Sequence, residues 1–457
     1  MAKWYEESIF YHIYPLGMCG AQDTNRGQGV THRFTQLNEW LPHIKNIGCN
    51  AIYIGPLFES SVHGYDTIDF YKVDRRLGTN DEFKEYVKLC HSMGIKVVVD
   101  GVFNHTGREF FAFQDLIKNQ QNSEYKDWYC KVDFNNDNSY KDGFTYESWR
   151  GAIVLAKLNL LNSDVKEYLF NVVKFWVEEF DIDGIRLDCA DVLNFQFMKE
   201  LRSLTDGLKL DFWLMGEVIH GTYSRWANDK MLHSVTNYEL HQAFFSSHNT
   251  HNYFELAHTA KRLFDPVDGI CKNQTLYSFL DNHDVNRIVS KLDKIEYLYP
   301  ATILLYTLPG IPSIYYGSEF LVKGVRIKND IPLRPKLEFA DYIEIKEGNL
   351  VYKEHGEYIE LLAKLADIRK KCIELVSGEY EMLHLTNYQY AFARKLGKRA
   401  VIVIVNNDDK QVDIKIPVQS KEVVNLLTNE VVPTEKNMLC TKVNPCSGEI
   451  FLTELFV

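Results

Sequence analysis

No apolar run in this sequence is long enough to cross a bilayer. A membrane helix needs about 18 or more apolar residues. The longest candidate, ATILLYTLPGIPSIYYG (301–317), is broken by Pro309, Gly310 and Pro312. There is no excess of positive charge either. The formal net charge is -11, which excludes the basic face that a polyanion requires, so no nucleic-acid partner is expected. Cysteines are present but lack metal-type spacing. Cys440 and Cys446 are the closest pair and still too far apart for a CxxC clip, so free thiols are expected. Repeats and low-complexity linkers are absent. The first residues, MAKWYEESIFYHIYPLG, lack the basic start, unbroken apolar stretch and small-residue cleavage site of a signal peptide. The expectation is a cytoplasmic protein with no membrane partner.

What is present is a long chain of ordinary globular composition. Its 457 residues, 46% hydrophobic, suffice for two or three domains and a large core. Eight short apolar runs read as strands: IFYHIYPL (9–16), AIYIGPL (51–57), KVVVDGVF (96–103), GIRLDCA (184–190), FWLMGEV (212–218), SVTNY (234–238), LYSFLD (276–281) and PSIYYG (312–317). Their nearly continuous apolarity fits parallel strands buried on both faces. Amphipathic segments separate them. The stretch 80–94 reads as a helix capped by Asn80 and ended by Gly94. The stretch 163–180 starts at Ser163 and spaces Val165, Leu169, Val172, Val173, Trp176 and Phe180 along one face. A third helix is expected over 293–308.

This alternation predicts an α/β fold, a (β/α)₈ TIM barrel over 1–104 and 160–377. The gap after strand three is too long for a simple connection and is read as a small inserted subdomain over 105–159. From 378 to 457 the pattern changes to six short alternating strands, the last at EIFLTELF, with Asn406-Asn407 and Asp408-Asp409 as turns. That reads as a C-terminal antiparallel β-sandwich.

Four of the barrel runs end in acids. Asp100, Asp188, Glu217 and Asp284 stand at the ends of strands three, four, five and seven. In such a barrel the strand C-termini converge on one mouth, so these acids should meet there. A pair of carboxylates is the apparatus of glycosidic bond cleavage, one as nucleophile and one as general acid then base. A third can hold the sugar ring as positive charge develops. Arg186, two residues before Asp188, points to the same side of its strand and is expected to keep Asp188 ionised. Glu217 needs the opposite treatment, a raised pKa. His105 and His283 are expected to donate hydrogen bonds to sugar hydroxyls. Single acids such as Asp183, Asp191 and Asp281 read as caps or loop ion pairs. Aromatics of the insert (Phe110, Phe111, Phe113, Trp128, Tyr129, Phe144, Tyr146, Trp149) read as core first and sugar platforms second. His43 and His91 read as surface or satisfied core.

The segments DGVFNH (100–105), GIRLD (184–188), GEV (216–218), DNHD (281–284) and LAKLN (155–159) resemble, in order, the motifs of the α-amylase family of glycoside hydrolases. The resemblance implies Asp188 as nucleophile, Glu217 as acid/base and Asp284 as transition-state stabiliser. It places Asp100, His105, Arg186 and His283 around the attacked glucose. HGYDT (63–67) resembles the segment that supplies a stacking tyrosine, here Tyr65. KNDIPLR (328–334) resembles the pair gripping the next sugar, here Asp330 and Arg334. Calcium-dependent members carry Lys-His shortly after the nucleophile; Ala190 and Asp191 stand there, with Asn104 retained. No metal ligand set is assigned and no cofactor is required; calcium is possible, with Ala190 and Asp191 speaking against the family's usual site. Cys189, beside Asp188, matches neither common linkage pattern, and LAKLN inclines the reading to α-1,4 over α-1,6 bonds. The expected activity is retaining hydrolysis of maltooligosaccharides, maltodextrins or cyclodextrins, small oligosaccharides being the partners. A transglycosylase or sugar isomerase on the same site is the alternative. A non-catalytic carbohydrate-binding protein is the remote one, since all three acids remain. Nothing in the sequence points to an oligomeric state.

Overall fold

The computed structural model describes residues 2–25 and 29–456. Eight parallel strands make the central sheet: β1 (Phe10–Ile13), β2 (Ala51–Ile54), β3 (Lys96–Gly101), β4 (Gly184–Leu187), β5 (Trp213–Gly216), β6 (Ser234–Val235), β7 (Tyr277–Phe279) and β8 (Ile311–Tyr315). They pair in the order β6-β5-β4-β3-β2-β1-β8-β7. A parallel bridge from Thr236 to Tyr277 joins the two end strands and turns the sheet into a barrel. All eight expected runs supply a barrel strand. Almost every strand residue is buried, as a parallel sheet covered on its outer face and packed within requires.

Side chains alternate along a strand, and this alternation builds the site. Phe10, Ala51, Val98, Trp213, Tyr277 and Ile311 fill the barrel floor, with Tyr5 packed against them. Two residues further along, β1 and β3 present His12 and Asp100. The same step takes β4 from Gly184 through Arg186 to Asp188, and β5 from Met215 to Glu217. Register does the rest. Arg186 lies opposite Asp100 on β3 and Met215 on β5. The ladder continues past the strand ends: Asp188 N–H donates to Gly101 O (3.1 Å) and Glu217 N–H to Leu187 O (2.9 Å).

The helix Ser163–Phe180 shows how the barrel is wrapped. Asn162 caps it by accepting from the N–H groups of Asp164 and Val165, and the six expected apolar residues are its buried ones. Trp176 stacks on Phe58 (ring centroids 4.1 Å apart) and on Phe103 (5.6 Å), and its indole donates to Phe70 O (2.8 Å). In the helix Asn80–Ser92 the cap is Thr79, not Asn80. Thr79 and Glu82 form a reciprocal capping box, while the Asn80 amide bonds Val73 N–H and Tyr71 O. The expected helix over 293–308 is shorter, Leu298–Thr307, preceded by a 3-10 turn at Ile295–Tyr297.

Between β3 and that first helix lie a short helix, Phe111–Asn119, and a three-stranded sheet of His105–Gly107, Ala152–Lys157 and Ser148–Trp149. Phe110, Phe113, Trp128, Tyr129 and Phe144 are buried there as core, whereas Trp149 faces the cleft described below. The C-terminal strands form a six-stranded antiparallel sheet covered by a two-stranded one, Val412–Pro417 with Met438–Val443. Ile402, Ile404, Ile414, Ile416 and Leu439 pack between the two layers. Val401, Val403 and Val405, on the opposite face of the same strand, join the barrel core. Two strands of this C-terminal region escape the sequence reading: Val431–Pro433, a mostly exposed edge ending in proline, and Met438–Val443, whose burial does not alternate cleanly.

No helix among the described residues is long and apolar enough to cross a membrane. Truncating Trp176 to alanine removes two ring stacks and a hydrogen bond from a fully buried site, a loss of about 3–5 kcal/mol. Thermal unfolding should show a clearly lowered midpoint, and an unchanged one would contradict this packing.

Candidate active site

One guanidinium lies under the acids at the barrel mouth. Arg186 is 2% exposed. Its Nη1 donates to Asp188 Oδ1 (2.7 Å) and to Asp100 Oδ1 and Oδ2 (2.8 and 3.0 Å). Its Nη2 pairs with Glu217 Oε2 (2.8 Å). Asp100 also accepts from the hydroxyls of Tyr53 (2.8 Å) and Tyr65 (3.1 Å). A glycine is needed opposite: a Cβ on Gly55 would lie 2.4 Å from Asp100 Cβ. Glu217 is held at both oxygens. Cys189 N–H donates to Oε2 (3.0 Å), and the Tyr238 hydroxyl to Oε1 (3.3 Å).

Asp284 belongs to a second group. It pairs with His283 Nε2 (2.8 Å) and Arg334 Nη2 (2.9 Å). Arg334 also reaches Asp330 (3.3 Å), which pairs with Arg326. His283 Nε2 meets the Tyr65 hydroxyl, and His105 Nε2 lies 3.0 Å from Tyr65 O. Tyr65 therefore links the two groups, and all ten residues singled out in the sequence fall within one bonded constellation.

They divide into a wall and its backing. Tyr65, His105, Asp188, Glu217, Asp284, Asp330 and Arg334 line a cleft of about 1440 Å³. Asp100, Arg186 and His283 are buried behind it. In the ligand-free site Asp100 bonds Arg186 and Tyr65, and His283 bonds Tyr65 and Asp284. His105 and His283 are likewise engaged with protein atoms. The cleft exceeds the usual ligand pocket of about 300–1,000 Å³, which suits several sugar units.

The electrostatics of the two groups differ in sign. Burial pushes the Asp188 carboxyl up to about 8, with Glu217 and Asp100 adding to the rise and Arg186 and the Cys189 thiol opposing it. The expectation that Arg186 alone keeps Asp188 ionised is therefore corrected, because its single charge is shared among three acids. For Asp284 burial also works upward, but His283, then Arg334 and Arg186, hold it well below the usual carboxylate range. Burial lowers His105 to about 4. It also holds His12, beneath His283, well below its ordinary value.

Calcium takes six to eight oxygen ligands. Asn104 Nδ2 lies against His105 Nδ1 (3.1 Å), and Ala190 offers a buried methyl. Among the described residues, the one compact group of potential metal-ligating side chains is His105, Asp188 and Cys189. Its sulfur and nitrogen donors are not a hard cation's set.

Sequence reasoning passed over Tyr53, Tyr238 and Tyr14, the last packed under the Arg334 guanidinium at 4.4 Å. Tyr14 and Tyr238 stand just past β1 and β6, so the strand-end rule that found the acids would have found them. Asp183 pairs with His91, Lys96 and Lys209, and Asp281 accepts from Ile288 N–H and Ser318. Both play the structural parts read for them. His43 is satisfied core, bonded to Glu319 and Tyr352.

A carboxyl that titrates near 8 in the folded chain and near 3.8 unfolded makes stability fall as pH rises between those values, by up to about 1.4 kcal/mol per pH unit. Asp188→Asn removes that loss. Its melting temperature relative to the unsubstituted protein should climb from pH 5 to pH 8; a constant or falling difference would contradict the raised carboxyl.

Comparison with known proteins places this constellation. The chain is 31% identical over 434 residues to a cyclomaltodextrinase of Thermoanaerobacter pseudethanolicus, covering 90% of this chain and 71% of the relative. It is 30% identical over 475 residues to neopullulanase 2 of Thermoactinomyces vulgaris, covering 98% and 78%. A solved cyclomaltodextrinase structure superposes with a TM-score of 0.85 at 26% identity, over 98% of this chain and 78% of that one. The family model described as alpha amylase, catalytic domain, matches residues 28–347, and the chain belongs to that family of glycoside hydrolases.

Proposed function

We propose that this protein hydrolyses α-1,4-glucosidic bonds of maltooligosaccharides, maltodextrins and cyclomaltodextrins with retention, through a covalent glucosyl-enzyme. The observation that carries the reading is the acid pair. Asp188 and Glu217 occupy the two ends of one guanidinium at the wall of a cleft long enough for several sugars. A retaining mechanism needs two close-set carboxyls with one proton between them. Asp188 attacks the anomeric carbon while Glu217 gives its proton to the leaving glycosidic oxygen. An ester from Asp188 to glucose results. Glu217, now ionised, takes a proton from water, whose oxygen displaces Asp188. Asp284, held ionised by His283 and Arg334, faces the positive charge that develops at the anomeric carbon.

Tyr65 supplies an aromatic face for the attacked sugar, with Asp330 and Arg334 on the next. Trp149 faces the cleft from the inserted sheet and serves as a platform on the other side of the cut bond. We place the protein in the cytoplasm. All nine cysteines are free in the fold, which fits a reducing compartment.

A panel of maltotriose, maltodextrin, cyclomaltodextrin and pullulan, with products read by mass, tests the substrate. Glucose and maltose from the first three are expected. Longer oligomers at high maltose would turn the reading to transfer. Asp188→Asn should lower kcat by about 10³-fold or more, and an unchanged rate in that variant would remove Asp188 from the chemistry.

A further inference from the structure

We propose that Cys189 is a positioning residue that holds both acids of the pair, its backbone N–H fixing Glu217 and its thiol fixing Asp188. The proposal rests on the acid-pair reading above and adds a member to it. Two contacts carry it. Cys189 N–H donates to Glu217 Oε2 at 3.0 Å, and Cys189 Sγ donates to Asp188 Oδ2 at 3.2 Å, short for a sulfur donor. Among the described residues, no other has direct hydrogen bonds to both acids apart from Arg186.

The backbone supports the assignment. Cys189 has φ 39 and ψ 49, the left-handed region that side chains other than glycine, asparagine and aspartate seldom adopt. Glycine would take this conformation freely and would keep the N–H on Glu217. What glycine lacks is the thiol. The residue is 5% exposed, and its sulfur sits beside Asp188 rather than in an apolar pocket. Beyond the guanidinium they share, the two acids then receive different donors: Glu217 a backbone amide and a tyrosine, Asp188 a thiol. A thiol is a weak donor, so it steadies the Asp188 carboxylate without binding it tightly, which suits an oxygen that must form a bond to carbon and release it again.

The experiment compares Cys189→Ala, Cys189→Ser and Cys189→Gly with the unsubstituted enzyme on a cyclomaltodextrin from pH 4 to pH 9. Losing a donor to the carboxylate favours its protonated form. Cys189→Ala and Cys189→Gly should therefore move the acid limb of kcat/KM upward by about half a pH unit or more. They should lower kcat about tenfold and leave KM within about twofold. Cys189→Ser, which keeps a donor, should recover most of both. Superimposable pH profiles, or a serine variant no better than alanine, would overturn the proposal. A second measurement needs no turnover and separates failure here from failure of the proposed activity. The infrared S–H stretch of Cys189, isolated by subtracting the Cys189→Ala spectrum, should lie below that of a free thiol and shift in Asp188→Asn. A stretch at the free-thiol position, indifferent to Asp188→Asn, would overturn it even in an enzyme that cleaves the substrate.

Discussion

Arg186 is the interaction on which the site depends. A single buried cation faces Asp100, Asp188 and Glu217. Its planar fork reaches acids from three adjacent strands at once, which a lysine's point charge on a flexible stem would not do. The barrel makes this possible. Parallel register sets Asp100 beside Arg186, and the continued ladder brings Glu217 in from the other side. One positive charge against three carboxyls leaves the group short of cation, so burial wins at Asp188 and raises its pKa. Asp284 stands a strand away with two partners of its own and stays ionised. The mouth is thus split into a proton-holding half and a permanently negative half. A retaining glycosidase divides labour once more within the pair, one carboxyl ionised as nucleophile and the other protonated as acid.

The rest of the chain serves that arrangement at a distance. Phe10, Trp213, Tyr277 and their neighbours fill the barrel floor, so nothing beneath the site is free to shift. Tyr53 and Tyr65 clamp Asp100, which in turn fixes Arg186. The inserted sheet brings Trp149 to the rim of the cleft, and the loop after β8 brings Asp330 and Arg334. The C-terminal sheet packs one face of its central strand on the barrel.

Much of this was legible in the sequence for one reason: a strand that is apolar to its end and then acidic has a single sensible place in a parallel barrel. All eight runs supply barrel strands, and the rule brings Asp100, Asp188, Glu217 and Asp284 to one mouth, whereas Tyr65, Asp330 and Arg334 were picked out by the resemblance alone. What the sequence hid are relations across strands. Spacing shows that Arg186 and Asp188 share a side, but only the register shows that Glu217 and Asp100 share the same guanidinium. Hence the ionised Asp188 expected from its nearest neighbour did not survive. Motif position says nothing of depth, so it did not show that Asp100 and His283 are buried behind the cleft wall. Thr79 displaced Asn80 as a cap because the choice depends on Glu82 reaching back, and Asn80 was drawn to β-strand backbone instead. Cys189 stood out in the sequence only for linkage, since its part as a donor lies in a left-handed backbone that no local motif announces.

Three carboxyls sharing one guanidinium should leave a proton on the acid pair of the ligand-free site at neutral pH. An infrared titration of the carboxyl C=O stretch, with aspartate isotopically labelled, reads this directly. The account predicts a protonated aspartate that persists at pH 7, is lost near pH 8 and is absent from Asp188→Asn. Full ionisation of every aspartate by pH 6 would contradict it.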